Sequence, residues 1–568
     1  MKFRVDYQQI RVLLNRYKVQ LLAVGILALS LAVYIYTLCP SIGWEDAPKF
    51  PTEAYMLKVS AFPWSHPLYI LIGHLFIKIP VGDIAYRMNL VSAVFGSLTL
   101  VAMFVLLRLL FSLEKGISEN KKLLAALGAT LSLMLSRTFW LHSVTAEVYI
   151  MLSFFIVAII YCLVRFDIKG DARFLYLGLF LYGLSVSVHI MTVCALPGVV
   201  AYLIMMGIKY KKGILNLRSI ATAGLCFLAG FSLYLGFAVK DSLYLRNTFD
   251  FSVWEILETM VGRTQEWGVL LLPFFESDHP LWYSPLQAIG YHFYDFMVLG
   301  TLLGLFGVIT FLVKNMRRFC YIFIIYAGFL FYAISFFVAD QNTFYLPALT
   351  IFSIFIGYGL LKLLKLITSK LKTSLVAATL LSLLVVAPVF VYSGLPTWIA
   401  DLDWEDRHKW EERAVFNYGR RAEWELIAVW QPEGGKGMIV KHYLNPNQRG
   451  DSTAREYGES MLDSLPPNSV FLTGGLLDWY AMAVIDYLKV VENKRPDVEH
   501  IHWGFPDKWF TFTYEEMWWA LGAYVQERRV FVSTPFCYEQ AGYLYKWFTF
   551  EPHGLVYEVK SRFASTEE

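Results

Sequence analysis

Apolar residues in this chain run in long unbroken stretches instead of alternating with polar ones. Most stretches hold roughly 18 to 25 residues, the length at which a helix crosses about 30 Å of hydrocarbon. They fall near 19–38, 88–112, 123–141, 147–164, 174–189, 190–207, 219–239, 292–313, 319–338, 346–364 and 373–394, about eleven spans. The run at 68–79 differs, with about a dozen apolar residues between Pro67 and Pro80, too few to cross. With Trp64 and Tyr69 at headgroup depth it reads as a helix lying in the interface.

The pattern changes near Ser393, and no spanning run follows in 395–568. Short β-rich runs at 470–473, 499–503, 529–533 and 555–559 alternate with helix-like stretches at 479–490 and 514–526. That alternation predicts a small α/β domain with a largely parallel sheet, punctuated by turns at Pro466-Pro467 and Gly474-Gly475. The fold expected is a polytopic α-helical membrane protein over 1–394, joined to an α/β domain over 395–568.

Charge sets the expected orientation. Basic clusters recur at Lys115/Lys121/Lys122, Arg165/Lys169/Arg173, Lys209/Lys211/Lys212/Arg218, Lys314/Arg317/Arg318 and Lys362/Lys365/Lys370/Lys372. The positive-inside rule puts all of them, and the basic N-terminus (Lys2, Arg4, Arg11, Arg16, Lys18), on the cytoplasmic face. The first stretch lacks a signal-peptide cleavage site and reads as an anchored span. The loops 39–87 and 240–291 and the domain 395–568 then lie outside, as in an integral protein of a bacterial inner membrane.

Composition agrees with that class, with 57% hydrophobic and 17% charged residues and a mean hydropathy of +0.48, well away from soluble averages. A net charge of +3 is too small to imply nucleic acid. Four of the six cysteines fall within spans, and none is spaced for metal or redox work. No phosphate-binding loop or dinucleotide fingerprint is present, so any reaction must draw on an activated substrate.

Candidate chemistry gathers at the outer span ends. Glu45 and Asp46 sit in a loop just past the first span, placed to take a proton from an acceptor hydroxyl. Glu147 begins another span from the outside and is expected to face a cavity. His66 and His189 lie at outer ends too, where a lone histidine is more often structural than catalytic. Arg87, Arg246 and Arg263 are each suited to headgroup anchoring, and together to a phosphate, which a guanidinium grips through two oxygens.

These residues also carry a resemblance. Trp44-Glu45-Asp46, His66-Pro67-Leu68-Tyr69, Tyr86-Arg87-Met88-Asn89-Leu90-Val91-Ser92-Ala93 and Phe95-Gly96 resemble the opening of a membrane O-mannosyltransferase family (domain of unknown function 2723, glycosyltransferase family 117). Thr138-Phe139-Trp140, Glu147-Val148-Tyr149, Gly183-Leu184-Ser185 with His189, Gly262-Arg263-Thr264-Gln265, Leu465-Pro466-Pro467-Asn468 and Arg495-Pro496-Asp497-Val498 are similar to its later motifs.

The resemblance implies a fold of the GT-C type and transfer of a sugar from a polyisoprenyl-phosphate carrier to an exported acceptor protein at the outer face. It implies Asp46 as the base, with Glu45 and Glu147 in support. Arg263, Arg246 and Arg87 would hold the donor phosphate, and His66, His189, Tyr69 and Gln265 would line the substrate pocket. Many relatives carry a second acid three residues after the first, whereas this chain has Lys49 there. No cofactor beyond the lipid-linked donor is expected, and participation of a divalent metal is left open. Transfer to a lipid or glycan, a lipid-linked sugar transporter or flippase, and a non-catalytic membrane scaffold are the competing readings.

Overall fold

The structure, a computed structural model, describes residues 7–44, 46–59, 66–210, 217–249, 252, 254, 283–335, 341–367, 370–401, 445–474, 479–503, 514–533, 544 and 546–562. Its membrane part comprises α1 (Tyr7–Tyr36), α2 (Lys49–Met56), α3 (Pro67–Phe76), α4 (Ile84–Phe111), α5 (Glu119–Met134), α6 (Arg137–His142), α7 (Val148–Lys169) and α8 (Ala172–Ser185). A 3₁₀ turn (Ile190–Ala195) then leads into α9 (Leu196–Tyr210), α10 (Leu217–Phe249), α11 (Tyr283–Ser335), α12 (Gln341–Phe344), α13 (Leu346–Leu366) and α14 (Lys370–Asp401).

Eight helical stretches among the described residues are long and apolar enough to cross a membrane. The difference from the eleven spans expected has three sources. The apolar run at 123–141 is divided, since α5 stops at Met134 and α6 begins at Arg137. Helix α8, at 14 residues, falls short of a full crossing. The spans expected at 292–313 and 319–338 form one helical run, α11, interrupted at Met297 and Asn315. Straight, residues 34 apart would be separated by about 50 Å, yet the Tyr326 hydroxyl donates to His292 Nε2 at 3.0 Å. The run therefore folds back on itself.

Close helix approaches use missing side chains. At the α8–α10 crossing, a Cβ on Gly183 would strike the Phe227 carbonyl, and one on Gly230 would strike the Phe180 carbonyl. Small residues at such crossings let backbones meet where lipid supplies no hydrophobic drive between helices.

The basic clusters converge on one end of the bundle. Arg108 and Lys122 both pair with Glu119, at 2.6 and 3.0 Å. Buried Asp167 takes Lys209, Arg317 and Arg318 at 2.9, 2.7 and 2.5 Å. Lys121 donates to the Ile367 carbonyl after α13. Asp46, His66, Asp83, Glu147 and His189 lie at the opposite ends of these helices.

Beyond residue 444 the chain forms α15 (Thr453–Ser464), β1 (Val470–Gly474), α16 (Trp479–Asp486, extended by a π turn to Val491), β2 (Glu499–Trp503), α17 (Tyr514–Glu527), β3 (Val530–Ser533), β4 (Phe548–His553) and β5 (Val556–Ser561). Sheet order is β2-β1-β3-β5-β4. Strand β1 runs parallel to β2 and β3, while β5 pairs antiparallel with β3 and β4. The sheet is therefore mixed, not largely parallel. Strand β4 contains Pro552, tolerated because β4 is an edge strand, and Gly554, at φ 63°, turns it into β5.

Gly183→Ala should destabilise the protein in detergent by about 1–3 kcal/mol, the usual cost of overpacking. Gly236→Ala, whose Cβ meets nothing within 4 Å, should leave the melting temperature unchanged or slightly raised; equal melting of the two variants would refute the crossing.

Candidate active site

The loop from Thr37 to Pro48, which carries Asp46, is irregular backbone at the end of the bundle, so each of its polar groups needs a partner. Asn89 on α4 donates to both the Cys39 and Ser41 carbonyls at 2.9 Å. The Cys39 amide donates to Val144 O at 3.0 Å, and Trp140 Nε1 donates to Thr37 Oγ1 at 2.9 Å. Asp83, the N-cap of α4, accepts from the Tyr86 amide at 2.6 Å and from Ser41 Oγ at 2.5 Å.

The α/β unit closes on the other side of this loop. Ile42 and Ala85 are buried in the same apolar cluster as Ala454, Met461, Phe471 and Ile485. Trp44 Nε1 donates to Thr453 Oγ1 at 2.7 Å, and its ring lies 5.6 Å from that of Tyr457. The Gln448 amide donates to Thr37 O at 3.1 Å. Arg455 grips Glu492 through two oxygens at 2.7 and 2.6 Å, donates to Ser41 Oγ at 3.1 Å, pairs with Glu459 at 2.9 Å, and stands 3.6 Å from Asp83.

Asp46 follows directly, half-buried, its carbonyl accepting the Lys49 and Phe50 amides at 3.0 and 3.4 Å as α2 starts. Phe50 is fully buried, with its ring edge-on to His66 at 5.6 Å and to Tyr69 at 5.1 Å. His66 Nδ1–H donates to Val188 O at 2.8 Å, which leaves Nε2 as the acceptor of a neutral ring. Burial, then His189 and Lys49, hold the His66 pKa well below its usual value. His189 stacks on His66 with centroids 4.9 Å apart, and its Nδ1 accepts the Met191 amide at 2.9 Å, so Nε2 carries the proton. Of the two stacked rings, His66 therefore keeps an acceptor at Nε2 and His189 a donor. Tyr149 covers His189 at 4.9 Å.

The structure thus brings Asp46, His66, His189 and Tyr69 together around Phe50. Glu147 is buried at the N-cap of α7, its amide taking a hydrogen bond to Ser92 Oγ at 3.2 Å, with the Tyr69 hydroxyl 3.4 Å from that same oxygen. Arg87 stands apart: its three donors go to the carbonyls of Val81, Ile77 and Gly82, at 2.9, 2.7 and 3.0 Å. That guanidinium holds the α3–α4 turn through one bond from each of its nitrogens. Arg246 is exposed in the last turn of α10. Glu45, Arg263 and Gln265 lie outside the described residues.

Two charged neighbours had no role assigned from sequence. Lys49 acts electrostatically on both His66 and His189. Glu53, four residues further along α2 and seven after Asp46, shares the helix face of Lys49. Burial, with Asp46 adding to it, pushes the Glu53 carboxyl up, against the pull of Lys49 and Lys58. Its Oε2 is sealed from solvent with no hydrogen-bond partner among the described residues. The spacing of seven was the available signal. Among the described residues, no trio of His, Cys, Asp or Glu donor atoms converges here for a metal.

Residues 46–213 match the family model described as Protein O-mannosyl-transferase TMEM260 N-terminal domain. The TMEM260-type segment thus begins at Asp46 and holds His66, Tyr69, Glu147 and His189. The chain is 30% identical to the mouse (Mus musculus) Protein O-mannosyl-transferase TMEM260 over 230 residues, 39% of this chain and 30% of the mouse protein's length. It also resembles a crystal structure of ArnT from Cupriavidus metallidurans bound to undecaprenyl phosphate, at TM-score 0.53 and 10% identity over 97% of this chain and 99% of that one. The apo state of the same ArnT gives 0.52 and 13% over 94% and 97%. The fold is therefore that of a polytopic helical membrane protein of the GT-C type.

A carboxyl whose pKa is raised by folding is stabilising while protonated, and that stability is lost as pH rises through the raised value. Glu53→Gln should therefore melt above the wild type at neutral pH, and the two should converge below the ordinary carboxyl range. A pH-independent difference in melting temperature would contradict the placement of Glu53.

Proposed function

We propose that this protein is a glycosyltransferase that moves a hexose, mannose, from a polyisoprenyl-phosphate carrier to Ser/Thr hydroxyls of exported proteins at the outer membrane face. The observation that carries the reading is Asp46. It lies on a loop clamped between the bundle and the α/β unit, beside paired histidines, at the start of the TMEM260-type segment. Asp46 acts as general base, accepting the proton of the acceptor hydroxyl as it attacks the anomeric carbon. A single displacement of this kind inverts that carbon, unlike the two-step route through a covalent intermediate.

Glu45 and Glu147 support Asp46, and Glu53 supplies the second carboxyl that Lys49 displaces from its usual spacing. His189 Nε2–H and the Tyr69 hydroxyl orient the sugar. The departing phosphate needs cationic support, which is commonly a large term in such reactions. Arg263 supplies it, with Arg246 nearby in the chain. The ArnT relative is described as bound to undecaprenyl phosphate, which supports a carrier of that class. A cavity of about 470 Å³ between α1 and α14, lined by Val33, Tyr36, Trp140, Val389 and Asn445, suits its isoprenoid chain.

Asp46→Asn should retain folding and donor binding while turnover falls on the order of a hundredfold or more, as for other positioned bases. In the same preparation Arg263→Ala should weaken donor-lipid binding by about 1.5–3 kcal/mol, and Arg263→Lys should recover part of it. Normal turnover in Asp46→Asn would remove the assignment.

The proposed orientation places the N-terminus in the cytoplasm and the α/β unit outside. A cysteine replacing Ser452 in otherwise cysteine-free protein should react with a membrane-impermeant reagent in intact cells. Protection until lysis would invert the topology.

A further inference from the structure

The α/β unit contains a second cluster that the transfer reaction does not use. Strand β2 lies at the edge of the sheet, and His500 and His502, two residues apart, project to one face. That is the face on which Phe471 and Phe531 pack against α15 and α16, where apolar residues fill the core. In place of an apolar contact, α16 presents Asp486. Its Oδ1 is 3.1 Å from His500 Nδ1 and 2.6 Å from His502 Nε2, and the three donor atoms lie within 4.8 Å of one another.

Donors about 2.0–2.1 Å from one metal lie about 3 Å apart, a spacing that small side-chain rotations would give these three atoms. His500 also has an outer partner, since its Nε2 is 2.7 Å from Thr473 Oγ1. A metal-ligating histidine characteristically has its second ring nitrogen held in this way, and the threonine hydroxyl rotates to accept Nε2–H once Nδ1 turns its lone pair to an ion. The side chains of His502 and Asp486 are 34% and 23% exposed, so one side of the cluster is open.

We propose that Asp486, His500 and His502 form a binding site for a divalent transition-metal ion, zinc by its donor set. Two imidazoles and one carboxylate suit zinc better than magnesium or calcium, which prefer all-oxygen shells. Three protein ligands with an open position leave room for water or an exogenous oxygen ligand. The site lies in the α/β unit, separate from the Asp46 loop, and stands whether or not the transfer reaction does.

The test uses full-length detergent-purified protein with its affinity tag removed, stripped by chelator and dialysed against Zn²⁺ alone. Wild type should retain one equivalent that His502→Ala loses, with the two proteins melting alike before zinc is added. Thr473→Val, which keeps all three ligands, should weaken binding by about 10–100-fold. Co²⁺ in place of Zn²⁺ should give visible absorption bands in the wild type and not in His502→Ala. No stoichiometric zinc, or an equivalent that His502→Ala retains, would overturn the site and show Asp486 to be only an ion-pair partner of the two histidines.

Discussion

Arg455 ties the two halves of this molecule together at the point where the chemistry is proposed to happen. One guanidinium reaches Glu492, Glu459, Ser41 and Asp83. Charge-assisted hydrogen bonds are each worth about 1.5–3 kcal/mol, more than exposed ion pairs contribute. The arrangement matters because the described residues of the loop from Thr37 to Pro48 form neither helix nor sheet, so several of its polar groups are satisfied by what closes around it. Asn89 and Asp83 do this from the bundle, and Gln448, Thr453 and Arg455 from the α/β unit. Asp46 inherits its position from both sides.

The opposite end of the bundle is organised by charge of another kind. Asp167 is buried with three cations on it, and removing any one would leave the rest of the cluster poorly compensated. The clusters that suggested an orientation by their recurrence in sequence are therefore also structural, joining α7, α9 and α11. Segregating these cations from the Asp46 end leaves the histidines and carboxyls there in a field set mainly by Lys49 and their own burial.

Much of the fold was legible because the bilayer imposes lengths: the apolar runs mark the helices, and the short run after Pro67 is a helix of 10 residues. Strands β1, β2, β3 and β5 were visible as β-rich runs, whereas β4, which contains Pro552, was not. The division between α5 and α6 was not visible, because it depends on Asp295, far along the chain, accepting from the Thr138 amide and hydroxyl at 2.7 and 2.9 Å. Of the candidate site, Asp46, His66, His189 and Tyr69 do gather. Arg87 holds three carbonyls of the α3–α4 turn, contacts that its position in the sequence did not reveal. The Arg455–Ser41 contact joins residues 414 apart, and no local pattern encodes such a pair.

The central claim is that the clamped Asp46 end of the bundle transfers a lipid-linked sugar to protein. The most direct measurement is incubation of the purified protein with polyisoprenyl-phosphate sugars and a panel of exported acceptor proteins, followed by mass spectrometry of the products. The account predicts a hexose mass added to Ser or Thr of an acceptor, with mannosyl donor consumed and the effect abolished in Asp46→Asn. Unmodified acceptors with intact donor, or a hexose found only on lipid, would contradict it.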